Sequence, residues 1–446
     1  MRFLFVSPSI PFGLDPLSSS SSSVVTARRA FTATGAPPVE DAAVVIEDAT
    51  IAWVGHRARL PERYEGLPVD DHPEATVLPG LIETHAHLGS YTPHISVDAP
   101  DPSVHERSLV ALSSVAIARQ LASVGVTTVQ SLGSRHFADV ALRDAVAAGL
   151  LAGPRIVAAG PQLTTTSGHA WATGGEVDSV DDIRLAVRRH HKAGADVIKV
   201  MATGGFMTAR TAPWHAQFTQ EELAVLVREA HRLGKHTAAH AHGTEGIRRA
   251  TLAGIDYIAH ASFVDEAGRT AFDPWLADQL AERGVFVDTC SPPSWPAVEG
   301  ETISPRAYEL YRHGVRLVAG HDIGAVLPPS AYTYGLRQLH DSGIPIEEVL
   351  LAATSRAAAA VGLAGLTGVL AEGYAADLIV VEGDPLVDLA ALDRLRRVII
   401  AGRDFRPDPV TPYDPPARSG GGGPSDVRHA FHQRRLRAAS HPLPTH

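Results

Sequence analysis

The sequence contains one cysteine, Cys290, in 446 residues. A lone thiol cannot form an internal disulfide, so the chain is no disulfide scaffold and requires no oxidising compartment. No apolar run reaches the ~18 residues that a membrane-spanning helix needs. Positive charge is in the minority: Lys plus Arg is 39 and Asp plus Glu is 49, a formal charge of −10. A net acidic chain is a poor binder of polyanions, which argues against a nucleic-acid partner. The apolar start, Met1 to Val6, is too short for a secretory signal, and Pro8 and Pro11 break any continuation of it; the expected location is cytoplasmic. With 45% hydrophobic and 20% charged residues, the composition is that of a packed globular protein. What the chain holds in excess is histidine, 23 residues. Histidine is the commonest metal ligand and the usual acid–base group near neutral pH, so its placement is the question.

Both ends read as low complexity. Six serines, Ser18 to Ser23, mark residues 1–23 as a solvated extension. Residues 411–446, rich in Gly, Pro, Ser and Arg, read as a flexible tail with one short helix expected over Val427 to Ala438. Between them, residues 77–361 alternate short apolar runs with amphipathic stretches of helical period. The runs are Leu81–Leu88, Thr127–Gly133, Arg155–Gln162, Asp196–Ala202, His236–His242, Asp256–Phe263, Val285–Ser291 and Val315–Asp322. Runs that are apolar on both faces suit parallel strands covered by helices. Thr219 with Glu222 forms a capping box and Gly234 a stop; Ser179 with Asp182 and Gly194 repeats the device more weakly. Eight strand–helix units predict an α/β fold, a (β/α)8 TIM-like barrel. Residues 24–76 and 362–410 contain a hairpin (Val44–Glu47 with Ile51–Gly55) and two strands (Asp377–Val381, Arg397–Gly402). They predict a small discontinuous β-sandwich built from both chain ends.

Barrel enzymes place their chemistry at the C-terminal ends of the strands. Here the first strand ends in His85 and His87, two apart and able to face one point. The fourth carries Lys199, the fifth ends in His240 and His242, the sixth carries His260, and the eighth ends in His321 and Asp322. Imidazole and carboxylate suit a hard or borderline metal. A buried lysine does not, and needs its own account. A single His-x-His pair is commonly structural, but five strand ends supplying such groups in register are hard to ascribe to packing.

These residues resemble a known family. Val77-Leu-Pro-Gly-Leu-Ile-Glu-Thr-His-Ala-His87 looks like the first-strand signature of the amidohydrolase superfamily, and the likeness runs over almost all of residues 24–405. The return at Gly368 and Glu372 to Leu378 is similar to that family's closing segment. Ile198 to Gly205 and His240 to Gly243 resemble the branch holding prolidase-like and Xaa-Arg dipeptidases, imidazolonepropionase-like proteins and the ochratoxin amidase. The resemblance implies a metal-dependent hydrolase with a binuclear centre, usually of zinc, although Mn, Co or Fe suit the same ligands. His85, His87 and Asp322 would hold one ion, His240 and His260 the other, and a carboxylated Lys199 would bridge them. A bridging hydroxide would attack an amide or peptide bond, with Asp322 as general base and acid. His242 and His169 would contact the substrate, His169 in a loop similar to the branch's Gly-Gly-His.

Three positions depart from the branch: Gln130-Ser131 for Arg-Asp, Ala259 for Glu before His260, and His321 for a small residue before Asp322. None removes a ligand; together they suggest a reshaped pocket. Arg210, Trp214 and His215 come after the fourth strand as candidate substrate contacts or a solvated lid. Tyr332 and Tyr334 are candidate site-lining residues. Pro292, Pro293, Trp295 and Pro296 form a stiff loop. Cys290 reads as buried filler, and His190 and His191 as surface residues. The substrate expected is a small amide or peptide: an N-acyl amino acid, a dipeptide or a related amide. Alternatives on the same site are a lactonase or cyclic-amide hydrolase, a tailoring hydrolase for one specialised metabolite, and a deaminase, which Lys199 disfavours. A binding protein without catalysis is the alternative of another class, and the full ligand set weighs against it. No membrane partner is expected, and self-association is open.

Overall fold

Four strands precede the first helical unit and three come after the last. The computed structural model describes residues 22–89, 104–266, 270–290, 306–325 and 327–414. The strands β1 (Ser22–Ala30), β2 (Val39–Glu47), β3 (Thr50–His56) and β4 (Val69–Pro79) come first. The parallel strands are next: β5 (Leu81–Ala86), β6 (Val126–Ser131), β7 (Arg155–Ala158), β8 (Val197–Met201), β9 (His236–Gly243), β10 (Tyr257–Val264), β11 (Phe286–Asp288) and β12 (Arg316–Leu317). The chain ends with β13 (Leu378–Glu382), β14 (Leu395–Ile400) and β15 (Arg403–Phe405). The expected tail helix and the loop Pro292–Pro296 lie outside the described residues. So do Ser18 to Ser21 of the serine run, whereas Ser22 and Ser23 open β1.

Each parallel strand is followed by a helix: α1 (Val104–Ser123), α2 (Ala138–Ala147), α3 (Val180–Ala193), α4 (Gln220–Arg232), α5 (Thr244–Ala253), α6 (Pro274–Glu282), α7 (Ala307–Arg312) and α8 (Tyr332–Asp341). The predicted caps form. Thr219 Oγ1 accepts from Glu222 N at 3.2 Å while Glu222 Oε2 accepts from Thr219 N at 2.7 Å. Ser179 Oγ accepts from Asp182 N at 3.1 Å. Gly194 closes α3 with φ 90°, a left-handed conformation that a Cβ would strain. One expectation fails on α3. His190 is buried, because Ile183, Val187 and His190 recur at helical spacing on the face turned inward. Its ring nitrogens lie 2.8 Å from the Ala186 and Pro161 carbonyls. No helix among the described residues is long and apolar enough to cross a membrane.

The parallel strands form two sheets, in the orders β12-β11-β10-β9-β8 and β5-β6-β7. Isolated parallel bridges join them at both edges, Leu163 with Val200 and Ala86 with Ile323. Backbone bonds from Leu163 N to Lys199 O and from His87 N to Ile323 O, both 2.8 Å, lie at these seams. The last two parallel strands are shorter than the runs suggest, three and two residues. The fold is thus mixed α/β with parallel sheets. The two chain ends meet in one seven-stranded sheet, β15-β14-β13-β4-β1-β2-β3, in which β1 runs parallel to β4 and the predicted β2–β3 hairpin and β13–β14 pair are antiparallel.

Asp377 ties that sheet to the parallel strands. The residue is buried. Its carboxylate accepts from Ala401 N at 2.7 Å, Thr367 Oγ1 at 2.9 Å and Arg155 Nη2 at 3.2 Å, and its carbonyl accepts from Gly80 N at 2.9 Å. Replacing it by alanine leaves the half-buried backbone N–H of Ala401 and the buried hydroxyl of Thr367 without an acceptor. Arg155 is partly solvated, so its lost partner counts for less. Asp377→Ala is therefore expected to lower stability by about 2–3 kcal/mol in urea denaturation. A change below about 0.5 kcal/mol would show that the joint is not held there.

Candidate metal centre

Which way a strand side chain faces can be traced through the two apolar clusters. Ile82, Val157, Val197, Ala238, Tyr257, Ala259 and Val318 gather in one, between the strands. Leu81, Ala86, Val129, Ile198, Val200, Ala239, Ala241, Ile258 and Ala319 pack in the other, against the helices. Lys199, His240 and His242 alternate with that second set, so plain strand geometry turns them inward.

The remaining inward groups break the alternation. In β5 the residue pairing slips between Glu83 and Ala86. That slip lets His85 and His87 face inward although Ile82 already does, while Glu83 stays on the helix side. In β10 the slip falls after His260, which has φ 76°. Asp322 has φ 59° and Cys290 φ 48°. Left-handed backbone at non-glycine residues costs about 1–3 kcal/mol each and is sustained only where surrounding structure imposes it.

The result is a buried cluster of His85, His87, Lys199, His240, His242, His260, Asp322 and His169, each less than about a tenth exposed. The Nε2 atoms of His87 and His85 lie 3.1 and 3.6 Å from Asp322 Oδ1. Ring centroids of His240 and His260 are 4.5 Å apart, those of His242 and His260 4.2 Å, and those of His169 and His240 4.7 Å. Among the described residues, three groups have donor atoms mutually within 4.8 Å: His85, His87, Asp322; His240, His242, His260; and His85, His260, Cys290. The first two contain the proposed ligand sets. Cys290 is thus more than filler: its Sγ is 3.4 Å from His85 Nδ1.

Among the described residues, the buried Lys199 Nζ has no hydrogen-bond partner. Burial also sets the protonation states. It brings the Lys199 ammonium down to about 8, against the pull of Asp288 and Asp322. It drives His169 to about 4 and His242 to about 3, and holds His240 and His260 well below the usual imidazole range. Burial would raise the Asp322 carboxyl, but His85, His87 and Lys199 beside it hold it well below the ordinary carboxylate range. Near neutral pH the imidazoles of His169, His240, His242 and His260 are neutral and turn lone pairs toward one another, beside a lysine whose proton is loosened. That is a chemically unsatisfied state, and divalent ions satisfy it. The donor set therefore fits metal binding.

His169 is fixed by the next loop. Its N–H donates to Gln217 Oε1 at 2.7 Å, and its Nδ1 is 3.0 Å from Thr208 Oγ1. Gly205 gives it room, since a Cβ there would lie 2.3 Å from His169 Nε2. On the same loop Trp214 is half-buried beside the end of β9, whereas Arg210 and His215 are exposed. Tyr332 is not at the cluster surface. It is fully buried, its hydroxyl donates to the Ile82 carbonyl at 2.8 Å, and its ring meets His321. Tyr334 packs against Tyr413.

The residues at the three departures from the branch pattern, Gln130, Ser131, Ala259 and His321, are all fully buried. His321 lies on the helix side, its Nδ1 2.8 Å from Glu83 Oε2; Glu83 Oε1 accepts from the backbone N–H of both His85 and His321. Gln130 joins the Thr84 carbonyl to His236. Ala259 belongs to the inner apolar cluster. At these positions the structure shows contacts within the scaffold around the cluster. Asp288 and Tyr257 were not expected from the sequence. Phe286, Asp288 and Cys290 alternate with Val287, and a carboxylate at the inward end of a strand was the available signal.

The family model for the amidohydrolase family matches residues 76–404. The chain is 30% identical over 431 residues to the ochratoxinase of Aspergillus niger, covering 86% of each protein. The crystal structure of that ochratoxinase superposes with a TM-score of 0.74, covering 90% of this chain and all of the other. A Xaa-Pro dipeptidase crystallised with methionine in its active site gives a TM-score of 0.76 at 28% identity, over 86% of this chain and 100% of that one. An imidazolonepropionase of Cupriavidus metallidurans is 24% identical over 400 residues, covering 83% and 92%. The chain belongs to the amidohydrolase family, and the resemblance read from its strand ends holds. It is a metal-dependent hydrolase acting on amide carbon–nitrogen bonds.

A histidine held neutral in the fold, but free to protonate near pH 6.5 once unfolded, makes unfolding take up protons as the pH falls. Stability of the metal-free protein is therefore full above about pH 6.5 and is lost as the pH drops toward 4. His169 alone accounts for on the order of 3 kcal/mol of that loss. Urea denaturation of chelator-treated protein at pH 7 and pH 4.5 should show it, with a shallower pH dependence in His169→Gln. An equal pH dependence in the two would mean that His169 is not held neutral.

Proposed function

We propose that the protein is a binuclear amidohydrolase that cleaves a small amide or peptide. The observation that carries this is Lys199 Nζ, buried inside a ring of imidazoles and one carboxylate and without a hydrogen-bond partner among the described residues. On this reading the two parallel sheets are the halves of one (β/α)8 barrel, residues 77–361. Residues 24–76 and 362–410 form a composite β-sandwich domain beside it. His85, His87 and Asp322 hold one divalent ion and His240 and His260 the other; zinc suits these donors best. When bound, such a pair acidifies water and polarises the scissile carbonyl.

The chain's own groups do the rest. Lys199 near its neutral form can add to CO2 through Nζ: a nitrogen–carbon bond forms and a proton leaves. The resulting carbamate removes the buried positive charge and offers two oxygens between the two ligand sets. Asp322 takes the proton of the attacking water and returns it to the leaving amine. His242, with Nδ1 2.9 Å from Ser262 Oγ, and His169, fixed by Thr208, are placed to hold the substrate's carbonyl or carboxylate. Trp214 is a candidate wall for the substrate side chain. Arg210 lies exposed on the same loop and remains a candidate only for a substrate that reaches the surface.

The relatives support the substrate class. One is an ochratoxinase and another a Xaa-Pro dipeptidase. A prolidase with N-methylphosphonate-L-proline, 27% identical with a TM-score of 0.75, shares the fold. Metal-loaded protein should release amine from at least one member of a panel of N-acyl amino acids, Xaa-Pro, Xaa-Arg and Xaa-hydrophobic dipeptides and aryl amides. No release from any would overturn the substrate class. Lys199→Ala should lose metal as well as activity, falling from near two ions per chain. Asp322→Asn should lower kcat by about 10²–10⁴-fold; full activity there would remove Asp322 as the base.

A further inference from the structure

We infer that Asp288 is a positioning residue for the metal centre: it fixes the orientation and tautomer of His85, and Tyr257 and Cys290 aim its carboxylate. This rests on the binuclear reading above. Asp288 is completely buried at the inward end of β11. It belongs to none of the groups whose donor atoms converge closely enough to hold an ion. Its Oδ2 lies 3.2 Å from His85 Nδ1 and accepts from the Tyr257 hydroxyl at 2.6 Å. Its Oδ1 accepts from Cys290 N at 3.0 Å and from Cys290 Sγ at 2.8 Å. Four donors on three segments thus converge on one carboxylate. The Tyr257 hydroxyl is itself 2.8 Å from Thr84 Oγ1, on the strand that carries His85.

The consequence for His85 comes from hydrogen-bond polarity. A carboxylate only accepts, so the proton that a metal-bound ring keeps is held at Nδ1. The lone pair is then left on Nε2. That is the nitrogen facing Asp322 Oδ1, the atom toward which His87 Nε2 also points. With Nδ1 unheld, the ring could carry its proton on Nε2, and metal binding would first have to move that proton. A carboxylate behind a ligating imidazole also makes the ring a stronger donor. His240 differs: its Nε2 lies 3.2 Å from the Gly204 carbonyl, a neutral acceptor. Space for the arrangement comes from the eighth strand's end, where a Cβ on Gly320 would come within 2.8 Å of both Asp288 Cβ and Thr84 Oγ1. Cys290 gains a role here without acting as a ligand: its backbone and its thiol both close on Asp288.

The test is metal binding by full-length protein, read with Co2+ alone. Affinity is measured by chelator competition and coordination by the visible absorption of the bound cobalt. Asp288→Asn keeps the shape and removes the carboxylate; it should weaken cobalt binding by about 10-fold and alter the spectrum. Asp288→Ala should weaken it further, to about 100-fold. Tyr257→Phe keeps the carboxylate and loses one donor, so it should shift affinity in the same direction by less; it carries the test should Asp288→Ala fail to fold. A purely structural role would lower the melting temperature of the metal-free variants while the folded fraction kept wild-type affinity and spectrum. That result in both Asp288→Asn and Tyr257→Phe overturns the assignment. The wild type separates the two readings. If it takes up no cobalt, the metal centre itself falls; if it takes up two ions and both variants match it, only the role of Asp288 falls.

Discussion

Lys199 Nζ lies in the interior with no hydrogen-bond partner among the described residues, and everything around it answers to that constraint. An isolated ammonium in such a place costs several kcal/mol, so the group yields its proton more readily than a surface lysine. The four surrounding imidazoles of His169, His240, His242 and His260 are pushed toward neutrality by the same burial. Asp322 keeps its charge easily, because the rings and Lys199 beside it favour the anion. A protein interior assembled from lone pairs is unstable as a bare core and well matched to cations. The family to which the chain belongs uses that match.

The strand framework does not deliver these groups without distortion. Regular alternation places Lys199, His240 and His242 inward but would turn His260 toward the helices. A slipped pairing and a left-handed φ at His260 correct it, and Asp322 and Cys290 carry similar φ values. The surrounding core sustains this strain, because the parallel strands are buried on both faces and have nowhere to relax. The same distortion separates His321 from Asp322. One joins Glu83 on the helix side and the other enters the cluster, although they are neighbours in sequence.

Much of the fold was legible. Apolar runs bounded by capping residues marked all eight parallel strands and the helices after them, because a strand buried on both faces and an amphipathic helix leave different periodic signatures. Strand ends were less legible, since β11 and β12 keep only three and two residues in regular pairing. Three members of the terminal sheet, β1, β4 and β15, have no strand signal in the sequence reading; short or polar segments such as Arg403–Phe405 gain their strand character from their partners. His190 was misread as a surface residue because two hydrogen-bond acceptors, invisible in sequence, compensate its burial.

By itself the sequence determined the inventory of the site. It held four imidazoles in two His-x-His pairs, another on the sixth strand, a lysine and an aspartate at strand ends, and no second thiol to compete for metal. Those residues announce themselves because polar groups at the ends of apolar runs need a reason to be there. Only the tertiary structure decided which side chains meet. Asp288, Tyr257 and Thr84 stand on three different strands and Cys290 just beyond the end of one of them; their hydrogen bonds exist only once those segments are brought side by side. Tyr332 lost its place at the site for the same reason: its helix turns it beneath the cluster, against His321. Chemistry is written in residue types, but orientation is set by packing across strands, at distances of a few ångströms that no local pattern records.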